Sequence, residues 1–481
     1  MKWKRVPTGN ITREKDVPLE EKGIMSKVLI ISSNTFAYPY PVYPLGMAIV
    51  SSALSAKGHS VVQFDFSIPE DPWERLRDTI NEYSPDYVCI SIRNIDEVDS
   101  LGGELEVLNT EKHIVKIVRK YTGVPVIAGG SAFSIMPEEI LAFIDADYGI
   151  VGAGEKKVVD LLENLEKGIA SPRILRGCLL PPEITDSISP LWDKDLVDFY
   201  VSKSGMLNLQ TKRGCPYRCS YCVYPSLEGK GFRYREPDAV IDDLDRANRL
   251  YNVDNFFFTD SVFNDPEGRY LELVEKIISS GLKIRWAGYF RPKGVGVKEF
   301  RLLKRSGLYA VEVGSDAGCN ETLRCMGKGF SFPDILDFYN GCINEGIASA
   351  YFFIFGGPGE TRQTVKESLD NIRKLEEGVI FIYSGIRILP GTALCDLAVE
   401  EGVISEGSPL LEPVYYFSPH INIDEMNNMI EQEAGNNRRY IFPPEKGKQM
   451  IDAMHKFGYQ GLLWDELITN SKVRDRRRKE Q

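Results

Sequence analysis

The sequence predicts an α/β protein with two parallel sheets in series: a doubly wound domain over residues 25–170, then a partial (β/α)6 barrel over 205–395, with a small, mainly helical region at 396–481. Three observations predict it. Short apolar runs alternate with amphipathic segments of helical length, the pattern of βαβ units and of a sheet covered on both faces. The alternation breaks at 171–204, where prolines accumulate without a period, so an interdomain connection is expected there. It then resumes for six repeats, too few for an eightfold barrel.

Residues 1–24 are polar and aperiodic and read as a tail or surface strap. In the first domain the expected strands are Val28–Ser32, Ser60–Phe64, Tyr87–Ile92, Val124–Ala128 and Tyr148–Val151. Helices are expected at Leu45–Lys57 and Thr110–Tyr121. Open parallel sheets bind ligands beyond the carboxyl ends of their strands. Those exits are Asn34 to Pro44, Arg93 to Ser100, Gly129-Gly130-Ser131 and Gly152-Ala153-Gly154-Glu155. Small residues there let a backbone approach a ligand closely, although tight turns alone would use the same residues. In the second domain, strands near Met206–Thr211, Asn255–Thr259, Lys283–Gly288, Tyr309–Gly314, Ala350–Phe355 and Ile380–Ile388 alternate with five helical segments. The aromatic residues Phe256, Phe257, Phe352 and Phe353 indicate a hydrophobic interior, most of it core packing. The region after Cys395 is expected to cover the barrel mouth.

Composition narrows the function. Hydrophobic residues make up 43% of the 481, enough to fill sizeable cores, which excludes disorder as an overall description. A net charge of −11 argues against a nucleic-acid partner, and the one basic run, Arg474 to Lys479, reads as a solvated tail. No apolar stretch reaches the roughly 20 residues of a transmembrane span, and the first residues are too charged for a secretory signal. A cytoplasmic location follows, where the nine cysteines stay reduced.

Three of those cysteines crowd together in Lys212-Arg213-Gly214-Cys215-Pro216-Tyr217-Arg218-Cys219-Ser220-Tyr221-Cys222, at the end of the first barrel strand. Three thiolates on one tight loop can bind three corners of a cubane iron–sulfur cluster and leave the fourth iron open. Structural zinc is the competing reading, but it normally takes four protein ligands in paired spacings. No second Cys-x-x-Cys or His-x-x-x-His is present, and His59, His113, His420 and His455 are scattered. Cys319 and Cys325 read as inert thiols.

The loop, in this place, resembles the signature of the radical S-adenosylmethionine superfamily, and the resemblance spans roughly Met206 to Leu394. It implies a [4Fe-4S] cluster on Cys215, Cys219 and Cys222 with S-adenosylmethionine on the open iron, where one electron cleaves the sulfonium to a 5′-deoxyadenosyl radical. It further implies nucleotide contacts from Tyr221 in the loop and from successive strand ends: Asp260 toward the methionine ammonium, and Glu312 and Ser315 toward the ribose or carboxylate. Gly356, Gly357 and Gly359 would lie under the adenine, and Arg387 would pair with a carboxylate.

The preceding domain is similar to the cobalamin-binding branch of that superfamily, through Tyr43-Pro44-Leu45-Gly46, Lys57-Gly58-His59, Gly129-Gly130-Ser131 and Gly152-x-Gly154-Glu155. The resemblance implies cobalamin contacts from Asn34, Arg93, Gly129, Gly130, Ser131, Gly152, Gly154 and Glu155. One departure is plain: the first strand is followed by Ser33-Asn34-Thr35-Phe36-Ala37-Tyr38, without the Asp-x-His-x-x-Gly that supplies a lower axial imidazole. Arg93 is expected over the lower corrin face or on a propionamide, with a surface salt bridge as the alternative. The implied activity is methylation of an unactivated carbon on a small, hydrophobic substrate, with electrons from a reducing protein such as flavodoxin or ferredoxin. A radical cyclase or rearrangement enzyme and a cofactor-binding sensor without turnover are the alternatives.

Overall fold

The computed structural model describes residues 26–38, 40–96, 100–102, 108–177, 188–435 and 437–467. The predicted tail, the terminal basic run and Cys178 lie outside them.

The first sheet holds β1 (Lys27–Ser32), β2 (Ser60–Asp65), β3 (Tyr87–Ser91), β4 (Val126–Gly129), β5 (Tyr148–Val151) and β6 (Ile174–Arg176). All pairs are parallel, in the order β2-β1-β3-β4-β5-β6. The buried run Val28-Leu29-Ile30-Ile31 of β1 is the unalternating pattern expected where helices cover both faces. β6 falls in the stretch expected to be only a linker. Its three residues are too short and too exposed to carry an apolar signature, and it is set by pairing with β5.

The second sheet is also wholly parallel. Its strands are β7 (Leu207–Leu209), β8 (Asn255–Phe258), β9 (Arg285–Phe290), β10 (Leu308–Asp316), β11 (Ala348–Phe355), β12 (Val379–Ser384) and β13 (Tyr440–Ile441), adjacent in chain order. The partial barrel therefore has seven strands, not six. The extra strand comes from the C-terminal region and pairs Tyr440 with Ile380 and Ile441 with Phe381.

Pleat alternation divides the aromatic residues. Phe257 points inward with Ala287, Ala310, Ala350 and Phe381, while Phe256, Phe258 and Phe353 pack outward on the helices. Phe352 stacks on Phe381 with centroids 4.8 Å apart. Leu462 and Trp464 join the inward cluster beside Met206 and Val379, which lie at the strand starts, and Gly461 N–H donates to Ser204 O. The end of the C-terminal region thus plugs the bottom of the barrel, while its Phe417 and Ser418 pack at the mouth end of β11, against Gly356. The mouth is left facing the carboxyl ends of the first sheet. No described helix is long and apolar enough to cross a membrane.

Candidate active site between the two sheets

The cysteine loop is held from every side. At its root, fully buried Asp260, just beyond β8, accepts Thr211 N–H at 2.7 Å, Lys212 N–H at 3.1 Å and the Thr211 hydroxyl. This corrects the expectation that Asp260 meets a methionine ammonium: its oxygens are committed to the loop. Gly214 has φ +88°, and a Cβ there would lie 2.1 Å from Gly231 O, so the turn into Cys215 needs glycine. Further along, Ser220 N–H donates to Met326 O at 2.9 Å and Leu394 N–H to Ser220 O at 2.8 Å.

Burial pushes the Cys215 thiol above its ordinary value and Cys222 up to about 12, so thiolates here need a compensating cation. Zinc would draw its sulfurs to about 2.3 Å from one point, whereas a cubane takes one thiolate at each of three corners. The donor set fits a cluster.

The strand ends behave unequally. The Tyr221 hydroxyl bonds to the carboxylate of Asp316, which also holds Lys328. Burial disfavours charge on Lys328, but Asp316 together with the Cys219 and Cys222 sulfurs outweighs it and holds the ammonium above its ordinary pKa. Ser315 is fully buried and its Oγ has no partner, an orphan at the mouth that a bound nucleotide would satisfy.

Glu312 and Arg387 depart from what was expected of them, and the glycine turn has packing of its own. Glu312 lies inside the barrel, accepting Trp464 Nε1–H at 3.0 Å and the Tyr40 hydroxyl at 3.3 Å, with burial pushing it up to about 7. The Gly356 and Gly357 amides both donate to Glu360, and a Cβ on Gly356 would meet the Phe417 ring at 2.7 Å. Glycine at 356 therefore answers to Phe417, while Gly359, at φ +73°, backs on Cys325. Arg387 is spent on Asp96 Oδ2 at 2.7 Å, Ile388 O at 2.7 Å and Leu410 O at 2.6 Å, joining the two domains rather than binding a ligand carboxylate.

Between the sheets lies a cavity of about 630 Å³, within the range of small-molecule and cofactor sites. All eight residues assigned to the first-sheet ligand line it: Asn34, Arg93, Gly129, Gly130, Ser131, Gly152, Gly154 and Glu155. Its other wall is the barrel mouth, with Asn208, Gln210, Phe257, Thr259 and Tyr289, and with Val223 and Tyr224 directly after Cys222.

Gly130, at φ +106°, has Ile92 O 2.4 Å from any Cβ, so this wall admits only glycine. Asn34 Oδ1, Glu155 Oε2 and Asn208 Nδ2 are buried without partners. Orphaned acceptors and a donor around an apolar cavity fit a flat, amide-fringed ligand such as cobalamin. Arg93 donates to Asn94 Oδ1 at 2.8 Å and Val42 O at 3.4 Å, and burial lowers its pKa. Among the described residues no salt bridge holds it. Arg213 crosses between domains to Glu155 at 2.5 Å.

Sequence reasoning missed Asp316, Lys328, Tyr224 and Asn208. Asp316 could have been suspected from Gly314-Ser315-Asp316 closing a strand, and Tyr224 from its place after Cys222. Lys328 and Asn208 carried no local signal.

A cysteine loop at one barrel mouth, facing the ligand edge of a doubly wound sheet across one cavity, defines a two-cofactor enzyme of the parallel α/β class. Residues 33–162 match the B12 binding domain and residues 209–372 the Radical SAM superfamily. The chain belongs to the radical S-adenosylmethionine superfamily, in the branch that carries a B12-binding domain. It is 26% identical over 437 residues to the tryptophan 2-C-methyltransferase of Streptomyces laurentii, covering 75% of this chain and 73% of that one. The solved structure of the methyltransferase TsrM from Kitasatospora setae, with cobalamin and a [4Fe-4S] cluster bound, superposes with a TM-score of 0.81 at 23% identity, over 95% of this chain and 99% of that one. The cobalamin-dependent radical enzyme OxsB gives 0.69 at 15% identity, over 90% and 71%.

Proposed function

We propose that this protein is a cobalamin-dependent C-methyltransferase of the radical S-adenosylmethionine superfamily. The observation that carries the reading is the shared cavity: Tyr224, two residues after the last cysteine, and Arg93, from the opposite sheet, line the same space. When bound, the cluster supplies an electron to S-adenosylmethionine, and cobalamin carries a methyl group to the substrate carbon.

The chain's own residues bind and orient. Cys215, Cys219 and Cys222 would hold the cluster, and Asp260 and Gly214 fix their loop. Tyr221, held by Asp316, and Ser315 line the nucleotide side. Asn34, Glu155 and the exits at Gly129-Gly130-Ser131 and Gly152-x-Gly154 would hold the corrin, with Arg93 supplying a cation in the same cavity. Tyr40, Phe257 and Tyr289 keep the barrel side of the cavity largely apolar, which supports a flat hydrophobic substrate. Tryptophan, the substrate named for the Streptomyces relative, is the first candidate.

The test is anaerobic reconstitution with iron, sulfide and cobalamin, followed by S-adenosylmethionine, reductant and a substrate panel headed by tryptophan. Methylated product with S-adenosylhomocysteine is expected. 5′-Deoxyadenosine without S-adenosylhomocysteine would favour cyclisation or rearrangement, and neither product with any candidate would defeat the reading.

A further inference from the structure

The outer side of the cysteine loop carries a second, open depression, away from the cavity between the sheets. It is lined by Lys293, Asn320, Arg324, Gly327, Phe330 and Asp334. Its floor rests on the cluster loop: a Cβ on Gly327 would lie 2.6 Å from Arg218 O, and the residue before it takes the Ser220 N–H bond. Arg291 and Lys293 fasten the far wall by donating to Lys328 O at 2.8 Å and Gly329 O at 3.2 Å. The Arg291 guanidinium also lies 4.3 Å from the Tyr217 ring centroid. Loop and depression are one continuous surface.

That surface is cationic on a chain whose net charge is −11. Arg218, Lys293 and Arg324 are exposed, and Arg291 is half-buried beside them. Two carboxylates sit among these four cations and leave the face net positive. Glu321 pairs with Arg324 at 2.8 Å, and Asp334 accepts the Ser331 N–H at 2.7 Å. Arg218, at the tip of the loop between Cys215 and Cys219, is in no ion pair among the described residues.

We infer that this face docks an acidic one-electron carrier protein that reduces the cluster. The inference rests on the cluster reading above and adds where the electron enters. One electron leaves the donor's reduced centre and enters the oxidised cluster, the donor is oxidised by one electron, and no atom or proton moves. The main cavity is reserved for cofactors and substrate, whereas this depression rests directly on the backbone of the cysteine loop. A like-signed patch of this kind raises encounter rates by about 10- to 1,000-fold at low ionic strength, and the gain fades as salt screens it.

The experiment uses the reconstituted full-length protein, with reduced flavodoxin as the acidic probe and dithionite as the small reductant. Cluster bleaching is followed by stopped flow. With wild type, the flavodoxin rate should fall at least tenfold between low and high salt. The double variant Lys293→Glu/Arg324→Glu should lose at least tenfold at low salt and much of the salt dependence, while its dithionite rate matches wild type. A wild-type flavodoxin rate in the double variant, or a salt-independent one in wild type, overturns the docking face. If dithionite bleaches neither protein, the cluster reading fails instead, and the docking face with it.

Discussion

Asp96→Ala separates two roles for Arg387. The Asp96–Arg387 pair is almost fully buried, with side-chain exposures of 3% and 1%, and it ties the exit of β3 to the far edge of the barrel. Removing the carboxylate leaves a guanidinium with two carbonyl acceptors and no counter-charge. Breaking a buried pair in this way costs about 3–5 kcal/mol, whereas replacing both partners by apolar groups is far milder. At about 2–4 °C per kcal/mol for domains of this size, Asp96→Ala should lower Tm by about 6 °C or more. The double variant Asp96→Ala/Arg387→Met should recover at least half of that loss. The assay is scanning calorimetry of the full chain, with equilibrium dialysis of S-adenosylmethionine on reconstituted Arg387→Met alongside. Unchanged binding is expected. Near-wild-type Tm in Asp96→Ala, together with lost nucleotide binding in Arg387→Met, would refute the interdomain role and restore a ligand role for this arginine.

Three more outcomes are expected. Cys219→Ala should reduce bound iron from about four per chain to a small fraction and abolish 5′-deoxyadenosine formation; a stoichiometric zinc centre with tetrahedral sulfur coordination in wild type would end the cluster assignment. Gly130→Ala should destabilise the first domain by about 1–3 kcal/mol, because φ +106° and the Ile92 carbonyl exclude a Cβ, and should weaken cobalamin retention; corrin bands that survive gel filtration as in wild type would contradict the placement. For Glu312, burial raises the folded pKa to about 7 from its ordinary 4.5. Between those values the folded state holds a proton that the unfolded chain has released, so stability falls as pH rises through that window and is level above it. Glu312→Gln removes this and should be the more stable protein at pH 8, by up to about 3 kcal/mol, while gaining little at pH 4.5. Denaturation midpoints that differ equally at both pH values would show that the carboxyl does not titrate as proposed.

Much of the site was legible before any coordinates. The cysteine loop is a local object, its three ligands and its glycine set by the chain within eight residues, so spacing alone reported it. The small-residue exits of the first sheet were legible for a related reason. Glycine at a strand end is dictated by backbone contact, as the Ile92 carbonyl beside Gly130 shows.

What the sequence by itself determined is therefore periodic or local: two parallel sheets, their order, and the loop that holds a cluster. What only the tertiary structure decided is partnership. Asp260, Glu312 and Arg387 each stand near the end of a barrel strand or within one, and nothing in the linear pattern distinguishes a carboxylate awaiting a ligand from one already bonded. Burial makes the difference: a charged group taken from water must be paired, and its partner can come from anywhere in the fold. For Arg387 it comes 291 residues away at Asp96, and for Glu312 from Tyr40 and Trp464, near opposite ends of the chain. Conversely, the orphaned atoms of Asn34, Glu155, Asn208 and Ser315 mark the cavity as a site only because the packing around them leaves those bonds unmade.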